Sequence, residues 1–441
     1  MSEALALKIA STLRASHYQA YEAGGCVRDR LLGIAAGDYD IATDAKPEVV
    51  MQLFPRHSAV GAHFGVVLVH GERAGEDVEV ATFRADVGAS DGRHPDAVRY
   101  ATAPQEDVQR RDFTINGMLR DPLTGEVLDF VGGREDLRRR VVRAIGEPRR
   151  RFQEDRLRML RAARFAARLE FTVEAATAAA IREQAGEIAT ISAERIRDEL
   201  LKMLTEGRAR RAFEWLDELG LLAAILPEVA RMKGVPQPPE YHPEGDVWQH
   251  TLLLLEALPA GAPAELALGA LLHDVGKPPT FRRAPDRIRF DNHAAIGAAI
   301  AAEIGRRLRL SRAQCEQVVA LVAQHMRFID VPRMRPSTLK RFLRQRGFEQ
   351  HLEMHRLDCA ASHGNLEIYD FVRAQLAATP PEAIRPPRLI TGEDLQALGY
   401  PAGPRYREIL AAVEDAQLEG EVATREQALA WIRERFPRQA P

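Results

Sequence analysis

The first twenty residues carry Glu3, Lys8 and Arg14 through an apolar spacing of three and four, which predicts an amphipathic helix. The period then shortens. Runs such as Gly65-Val66-Val67-Leu68-Val69 and Val78-Glu79-Val80-Ala81-Thr82-Phe83 predict strands up to about residue 130. From about residue 134 the spacing is helical almost throughout, with Gly or Pro breaks near 186, 207, 220, 227 and 234 to 239. The pattern predicts an α+β chain: an α/β head over 1–133, then helical segments over 134–235 and 236–380 and a helical tail over 381–441. Gly234-Val235-Pro236-Gln237-Pro238-Pro239 reads as the clearest linker, and Pro380-Pro381 with Pro386-Pro387 marks a further boundary.

At 441 residues the chain exceeds one core, and 46% hydrophobic residues exclude wholesale disorder. Its three cysteines, Cys26, Cys315 and Cys359, fit neither a disulfide framework nor a CxxC zinc site, which predicts a reducing compartment, by default the cytoplasm. No signal-type or membrane-spanning apolar run is expected. The net charge of −2 conceals local asymmetry. Thirteen arginines fall between Arg134 and Arg168 with few accompanying acids, so this stretch is expected to bind RNA phosphates in a salt-sensitive way.

Chemistry concentrates first in Gly24-Gly25-Cys26-Val27-Arg28-Asp29, followed by Asp38-Tyr39-Asp40. Backbone N–H groups of a glycine turn entering a helix approach a triphosphate closely, and Arg28 can fork onto its oxygens. Asp38 and Asp40 stand two apart, so on a strand their side chains share a face. Such carboxylates repel each other unless a divalent cation lies between them, and hard oxygen ligands beside phosphates suit Mg²⁺. The combination predicts two-metal nucleotidyl transfer, although a GG or a DxD alone is usually only a turn.

Glu79 is the candidate third carboxylate; Asp77 shares its parity and competes, and a charge flanked by valines on an edge strand also reads as merely solvent-facing. In Arg110-Arg111-Asp112-Phe113-Thr114-Ile115-Asn116, Arg111 can clamp phosphate, while Asp112 and Asn116 either hold ribose hydroxyls or orient the turn itself. A helix beginning near Phe152 is expected to set Asp155 and Arg158 on one face at i and i+3. Cytosine and adenine both offer an exocyclic amine beside a ring-nitrogen acceptor, so an Asp and an Arg together imitate a pairing base and select C and A. A surface ion pair is the plainer reading.

A second constellation follows the order H…HD…D: His250, His273, Asp274 and Asp358. Mixed imidazole and carboxylate donors suit Mn, Ni, Fe or Mg rather than a thiolate zinc site, and such a metal activates water towards a phosphoryl group. His293 and His325 fall between these positions and are candidates for a second metal or for phosphate contact, as is Lys277.

Taken in order, GGCVRD, DYD, RRDFTING, Asp121-Pro122 through Asp129 to Gly132-Gly133, EDRLRMLRAARFAARL and Glu194 to Leu200 resemble the motifs of class II tRNA nucleotidyltransferases, the bacterial CCA-adding enzymes, over roughly residues 20–230. The resemblance implies a polymerase-β-like palm followed by a helical neck, body and tail. It also implies that Asp38 and Asp40 hold Mg²⁺, that Gly24, Gly25, Arg28 and Arg111 meet the triphosphate, and that Asp155, Arg158, Arg161 and Arg164 read the incoming base and its phosphates. The implied reaction is addition of CTP and ATP to the tRNA 3′ end without a template. The second constellation resembles the HD phosphohydrolase domain of some of these enzymes, holding a transition metal or Mg²⁺. The stretch Phe83 to Asp96 resembles a loop that CC-only members tend to lack, while Val60 to Gly65 does not resemble the basic signature of bacterial poly(A) polymerases. Alternatives are an A-adding or CC-adding enzyme, a phosphohydrolase whose head only holds RNA, or an RNA-binding protein with neither activity.

Overall fold

Alternation along Asp77-Val78-Glu79-Val80 buries both valines and leaves both carboxylates exposed, as a strand with one covered face requires. In the computed structural model, which describes residues 2–59, 65–73, 75–87, 97–240 and 242–437, the head strands are β1 (Ala20–Ala23), β2 (Asp40–Thr43), β3 (His57–Ser58), β4 (Val66–His70), β5 (Asp77–Thr82), β6 (Arg84–Val87), β7 (Ala97–Tyr100), β8 (Met118–Arg120) and β9 (Val127–Asp129). Seven of them form one sheet in the order β3-β4-β5-β2-β1-β8-β9. Within it β2 and β5 run parallel, setting Asp40 opposite Glu79. Glu79 therefore lies on an interior strand, which removes the edge-strand reading. Asp38 precedes β2 in an irregular segment and is exposed, so it does not share a pleated strand with Asp40.

The helix Ser2–Ala15 packs on β1, β2 and β5, with Ile9 and Leu13 fully buried. β6 and β7 pair in a separate ladder. The sequence between them, 88–96, lies outside the described residues, as does 60–64, so the two stretches compared with family loops are described only at their ends.

Past residue 134 the chain is helical, with two small additions that periodicity missed: β10 (Val141–Val142) pairs with β11 (Thr172–Val173), and β12 (Phe281–Arg283) with β13 (Ile288–Phe290). The helix expected from Phe152 to Phe165 is two helices, Pro148–Glu154 and Leu157–Leu169, because Asp155 is extended at φ −151°, ψ 104°. Its Oδ1 instead accepts the Leu157 N–H at 3.1 Å, next to the new helix start. The helix Leu157–Leu169 buries Met159, Leu160 and Ala163 and packs against Ala193–Thr205 and Ala209–Glu218. These elements and the head make one compact unit, residues 1–230 with 259–261.

The second unit comprises 231–258 and the residues from 262 onward. Its helices include Val247–Glu256, Ala264–Leu272, His293–Arg307, Arg312–Gln324 and Phe348–Ala361, with a 3₁₀ turn over His325–Arg333. Segment 234–246 is not the open linker expected from its prolines. Asp246 ties its ends: Oδ2 accepts the Gly234 N–H at 2.6 Å, and Oδ1 caps the helix Val247–Glu256 through the Gln249 N–H at 2.8 Å. A further bond runs from Val247 N–H to the Val235 carbonyl at 3.1 Å. The result is a closed strap whose Gln237 is buried. Beyond Pro380 the tail gathers Leu395, Ile409, Val413 and Ile432 in a cluster of its own, while Ile384 packs on the preceding cluster around Phe328 and Phe342. Ion pairs from Arg341 and Arg344 to Glu414 join the tail to the helix Pro336–Leu343. Among the described residues no helix is long and apolar enough to cross a membrane.

Gly276 sets a close approach. A Cβ there would lie 2.1 Å from the His293 carbonyl oxygen and 2.6 Å from Gly297 N, so the helix His293–Arg307 can sit where it does only over a glycine. Gly276→Ala is expected to cost about 1–3 kcal/mol by forcing those backbones apart. Gly186→Ala, whose Cβ meets nothing within 4 Å, should shift stability by less than about 0.5 kcal/mol either way. Urea unfolding of both variants checks this; equal midpoints would refute it.

Candidate active sites

The head and the adjoining helices enclose a cavity of about 810 Å³, lined among others by Gly24, Gly25, Arg28, Asp38, Asp40, Arg111, Asp155, Arg158, Arg161 and Arg164. Gly24 takes a left-handed φ of 76° and precedes the helix Gly25–Leu31, which directs that helix start at the cavity. A Cβ at Gly24 would come 3.2 Å from an Arg111 Nη1 and 3.8 Å from Asp40 Oδ2, so the glycine also lets these groups close in. Burial raises the Asp40 carboxyl to about 6; Glu79 and Asp38 push the same way, and Arg111 only partly opposes them. A divalent cation would offset both the burial of this charge and the repulsion, and hard carboxylate oxygens suit Mg²⁺; among the described residues Asp38, Asp40 and Glu79 do not form a group whose oxygens all lie within 4.8 Å of one another. Asp77, the competitor of Glu79, is instead engaged by His70 Nδ1 at 2.8 Å.

Most cavity arginines already hold a carboxylate. Arg28 donates through Nε to Asp29 Oδ1 at 2.7 Å and through Nη1 to Asn116 Oδ1 at 2.7 Å. Arg161 pairs with Asp112 at 2.7 Å, Arg164 with Glu199 at 2.7 Å, and Arg111 with the buried Asp107 at 3.0 Å. Guanidinium carbons of Arg28, Arg161 and Arg164 lie 5.1, 5.2 and 4.5 Å from the centroid of one ring, Phe165, so its π-face helps gather three like charges. Asp112 is occupied with the turn: its Oδ1 accepts from Phe113 N–H and Asn116 Nδ2, and Arg161 takes the other oxygen. Although burial works against the charge, Arg161 and Asn116 hold its carboxyl down at about 2. Of the two roles read for Asp112 and Asn116, turn orientation is the one their bonds serve.

Asp155 and Arg158 are not an i,i+3 pair on one helix face. Asp155 takes Arg195 Nη2 at 3.0 Å, while Arg158 pairs with Glu154 at 3.1 Å and donates to the Arg110 carbonyl at 2.8 Å. Both still line the same cavity, each oriented by a separate partner.

In the second unit the HD residues converge. His250 Nε2 lies 3.2 Å from His273 Nε2 and 3.0 Å from Asp358 Oδ1, and Asp274 Oδ2 lies 3.2 Å from His273 Nε2. His293 Nε2 and His325 Nε2 are 3.3 Å apart, and each is 3.7 Å from Asp274 Oδ1. Three ligand groups result: His250 with His273 and Asp358, Asp274 with His293 and His325, and His250 with His242 and Glu244. In the second, each Nδ1 faces a carbonyl, of Phe290 at 2.9 Å and of Val322 at 2.8 Å, and must donate to it. Burial holds both rings neutral, pushing His325 down to about 4. Their Nε2 atoms are therefore lone pairs pointed at each other, with Asp274 Oδ1 a buried acceptor lacking a partner. Three acceptors without a donor fit a divalent cation. Lys277 Nζ contacts Asp274 Oδ2 at 2.6 Å and Gln237 Oε1 at 2.6 Å.

Several of these groups escaped the sequence reading: Asp107, Glu154 and Glu199 as arginine partners, Arg195 as the partner of Asp155, and Gln237, His242 and Glu244 in the strap. Glu244 Oε1 accepts from His250 Nδ1 at 2.7 Å and His242 Nδ1 at 2.9 Å. The available signal was the run His242, Glu244, Asp246 just ahead of His250, which follows the proline-rich 234–239 read as a linker and was given no role.

Residues 20–143 match the poly A polymerase head domain family, 170–233 the probable RNA- and SrmB-binding site of polymerase A, and 245–356 the HD domain. The chain is 35% identical to an A-adding tRNA nucleotidyltransferase of Deinococcus radiodurans, over 95% of each chain. It is 34% identical to a CCA-adding enzyme of Geobacillus stearothermophilus, over 98% of this chain and 96% of that one. The crystal structure of the Bacillus stearothermophilus CCA-adding enzyme in complex with CTP superposes with a TM-score of 0.75 at 32% identity, covering 98% and 96% of the two chains.

The raised Asp40 carboxyl has a measurable sign. The folded group keeps its proton up to about pH 6, against 3.8 for an ordinary Asp, so it costs nothing below the lower value and destabilises increasingly as pH rises through the upper. Asp40→Asn should therefore stabilise the metal-free protein by about 1 kcal/mol near neutral pH, after allowance for solvent screening, and leave it unchanged near pH 4. Urea midpoints at the two pH values decide; no gain at neutral pH would sink it. In the HD cluster, burial disfavours the charged His250 ring, but the Asp358 and Glu244 carboxylates lift it to about 9. Metal binding should thus release a proton at neutral pH, seen as different apparent Mn²⁺ binding enthalpies in two buffers of unlike ionisation heat. Equal enthalpies would contradict it.

Proposed function

The chain belongs to the tRNA nucleotidyltransferase family of its CCA-adding and A-adding relatives, and from that premise we propose that it adds CCA to the 3′ end of tRNA from CTP and ATP. The observation that carries the proposal is the parallel register of β2 and β5, which aligns Asp40 with Glu79 beside an arginine-lined cavity opening at the Gly24 turn. Asp38, Asp40 and Glu79 would hold Mg²⁺, which supplies charge neutralisation at the reacting phosphate and acidifies the attacking 3′-hydroxyl. The N–H groups at the start of the helix Gly25–Leu31 are placed for triphosphate oxygens, with Arg111 alongside. Attack of the RNA 3′-oxygen on the α-phosphorus then expels diphosphate.

Base selection falls to Asp155 as acceptor and Arg158 as donor, with Arg195 and Glu154 holding them in orientation. A base with the reversed pattern would set donor against donor and acceptor against acceptor at these two half-buried groups, which discriminates against it. Arg161 and Arg164 complete the positive wall. RNA is met by the arginine-rich stretch 134–168 of the neck and body, and the working division is a head at 1–133, neck and body at 134–235, an HD domain at 236–380 and a tail at 381–441. The relative from Deinococcus supports a second reading, in which only the final A is added.

For the HD unit we propose phosphoester hydrolysis in the cytoplasm. His250, His273 and Asp358 with Asp274, His293 and His325 would hold one or two divalent ions, Mn, Ni, Fe or Mg, that supply an activated water. Lys277 is placed to meet a phosphoryl oxygen. The unpartnered Asp274 Oδ1 between two imidazole lone pairs is the supporting observation.

Purified protein, tRNA lacking its last three nucleotides, Mg²⁺ and labelled CTP and ATP separate these readings. Asp38→Ala and Asp40→Ala should each lower addition by more than about 10³-fold, in line with losing charge stabilisation of the transition state; retained activity in either variant sinks the metal assignment. Incorporation of ATP alone, and only on tRNA ending in CC, would establish the A-adding product instead. His273→Ala should leave addition intact and abolish release of phosphate from a test phosphomonoester; unchanged release would remove the HD proposal.

A further inference from the structure

The strap 234–246 lies almost wholly in the gap between two family matches, one ending at 233 and the other beginning at 245. Yet it reaches the HD cluster at two points. At one, Glu244 Oε1 takes the Nδ1–H of His250 at 2.7 Å, which directs His250 Nε2 towards His273 and Asp358. At the other, Gln237 Oε1 takes Lys277 Nζ at 2.6 Å while the same ammonium holds Asp274 Oδ2 at 2.6 Å. With Oδ2 engaged by Lys277 and His273, Asp274 Oδ1 is left to face His293 and His325.

The other three imidazoles of the cluster fix their tautomers with backbone carbonyls, of Ala270, Phe290 and Val322. His250 alone among them relies on a side chain for this, and that side chain is on the strap. Glu244 is nearly buried, and its second oxygen, Oε2, has no partner. His242 shares Oε1 at 2.9 Å and lies edge-on to His250, with ring centroids 4.9 Å apart. The strap is not free to drift, because Asp246 closes its neck onto Gly234 and the helix cap.

We propose that the strap is a working wall of the HD site, in which Glu244 is the positioning residue for His250 and Gln237, through Lys277, is the positioning residue for Asp274. The inference rests on the reading of this cluster as a divalent-metal site. Outer groups that orient ligating imidazoles typically govern metal affinity by about 10- to 100-fold. The two strap contacts reach different ligands, so their losses should multiply. Neither contact touches the head, and nucleotide addition serves as the control for an intact protein.

The test uses the full-length protein with Asp38→Ala and Asp40→Ala to silence the head's own metal site, ¹⁵N-labelled histidine, and Mn²⁺ as the probe. Two equivalents should bind. Glu244→Ala should weaken binding by about 10- to 100-fold and, in a metal-free ¹⁵N spectrum taken at alkaline pH where the ring is neutral, shift His250 from a single Nδ1–H form to a mixture of tautomers. Glu244→Gln, whose amide oxygen still accepts from Nδ1–H, should stay within about threefold of the parent, since a neutral acceptor preserves the orientation. Gln237→Ala should show a separate loss, and the double variant the product of the two. In the background that retains Asp38 and Asp40, each strap variant should add nucleotides to tRNA as the parent does. Parental Mn²⁺ affinity and an unchanged His250 tautomer in Glu244→Ala would overturn the proposal. So would a third equivalent lost in Glu244→Ala, which would make Glu244 a ligand. Should the parent bind no Mn²⁺, the metal reading fails, and the His250 tautomer in Glu244→Ala still decides the role of the strap.

Discussion

Both candidate centres depend on one electrostatic constraint: electron-rich groups are gathered where the chain itself does not fully compensate them. In the head, burial, with Glu79 and Asp38 adding to it and Arg111 only partly opposing, lifts the Asp40 carboxyl to about 6. In the HD unit, two imidazole lone pairs and a carboxylate oxygen meet around one point. Left alone, each arrangement is unfavourable, since a buried polar group without a partner costs about 1–3 kcal/mol. The surrounding architecture supplies the opposing stability. The parallel register of β2 and β5 prevents Glu79 from moving away from Asp40, and the bare backbone at Gly276 keeps the helix carrying His293 close to the His273-Asp274 turn.

The arginine-lined cavity follows the opposite rule, in which most positive groups are matched. Arg28, Arg111, Arg158, Arg161 and Arg164 each hold a carboxylate of the chain itself. These pairs add little net stability where they are partly buried, because desolvation offsets much of the attraction. Their effect is geometric. A guanidinium tethered on one edge presents its remaining N–H groups in a fixed direction, so an incoming base or phosphate meets a preformed pattern rather than five mobile side chains. Asp107, Asp112 and Glu199, all buried, thus fix the orientation of cavity arginines.

Much of this was legible in one dimension. The two-residue period of 77–82 and the three-to-four-residue period of the helices were enough for an α+β chain with a sheet-bearing head and helices after residue 134. The glycine turn, the two aspartates and the HD order were visible because short-range chemistry crowds unusual residue types together. What escaped has two physical origins. A capping carboxylate can end a helix without any Gly or Pro, so the break at Asp155 left no mark in the apolar spacing, and the i,i+3 pairing with Arg158 inferred from it was lost. Partners far apart in sequence were equally hidden: Arg161 meets Asp112 across 49 residues and Asp155 meets Arg195 across 40. The strap was misread for a third reason. Proline density signals a chain that cannot form helix, but a chain without helix can still be tied shut by a single aspartate at a helix cap.

The donor sets also explain how one chain can load two metal centres without confusion. The head offers oxygen alone, from Asp38, Asp40 and Glu79, beside a cavity lined with arginines for phosphates. Hard, strongly hydrated Mg²⁺ suits such a set. The HD cluster offers four imidazole nitrogens against two carboxylates, a mixed set suited to borderline transition ions as well as to Mg²⁺. Tautomer control sharpens the difference: a ring whose Nδ1 is committed to a carbonyl or to Glu244 has only Nε2 to give, and gives it without first reorienting.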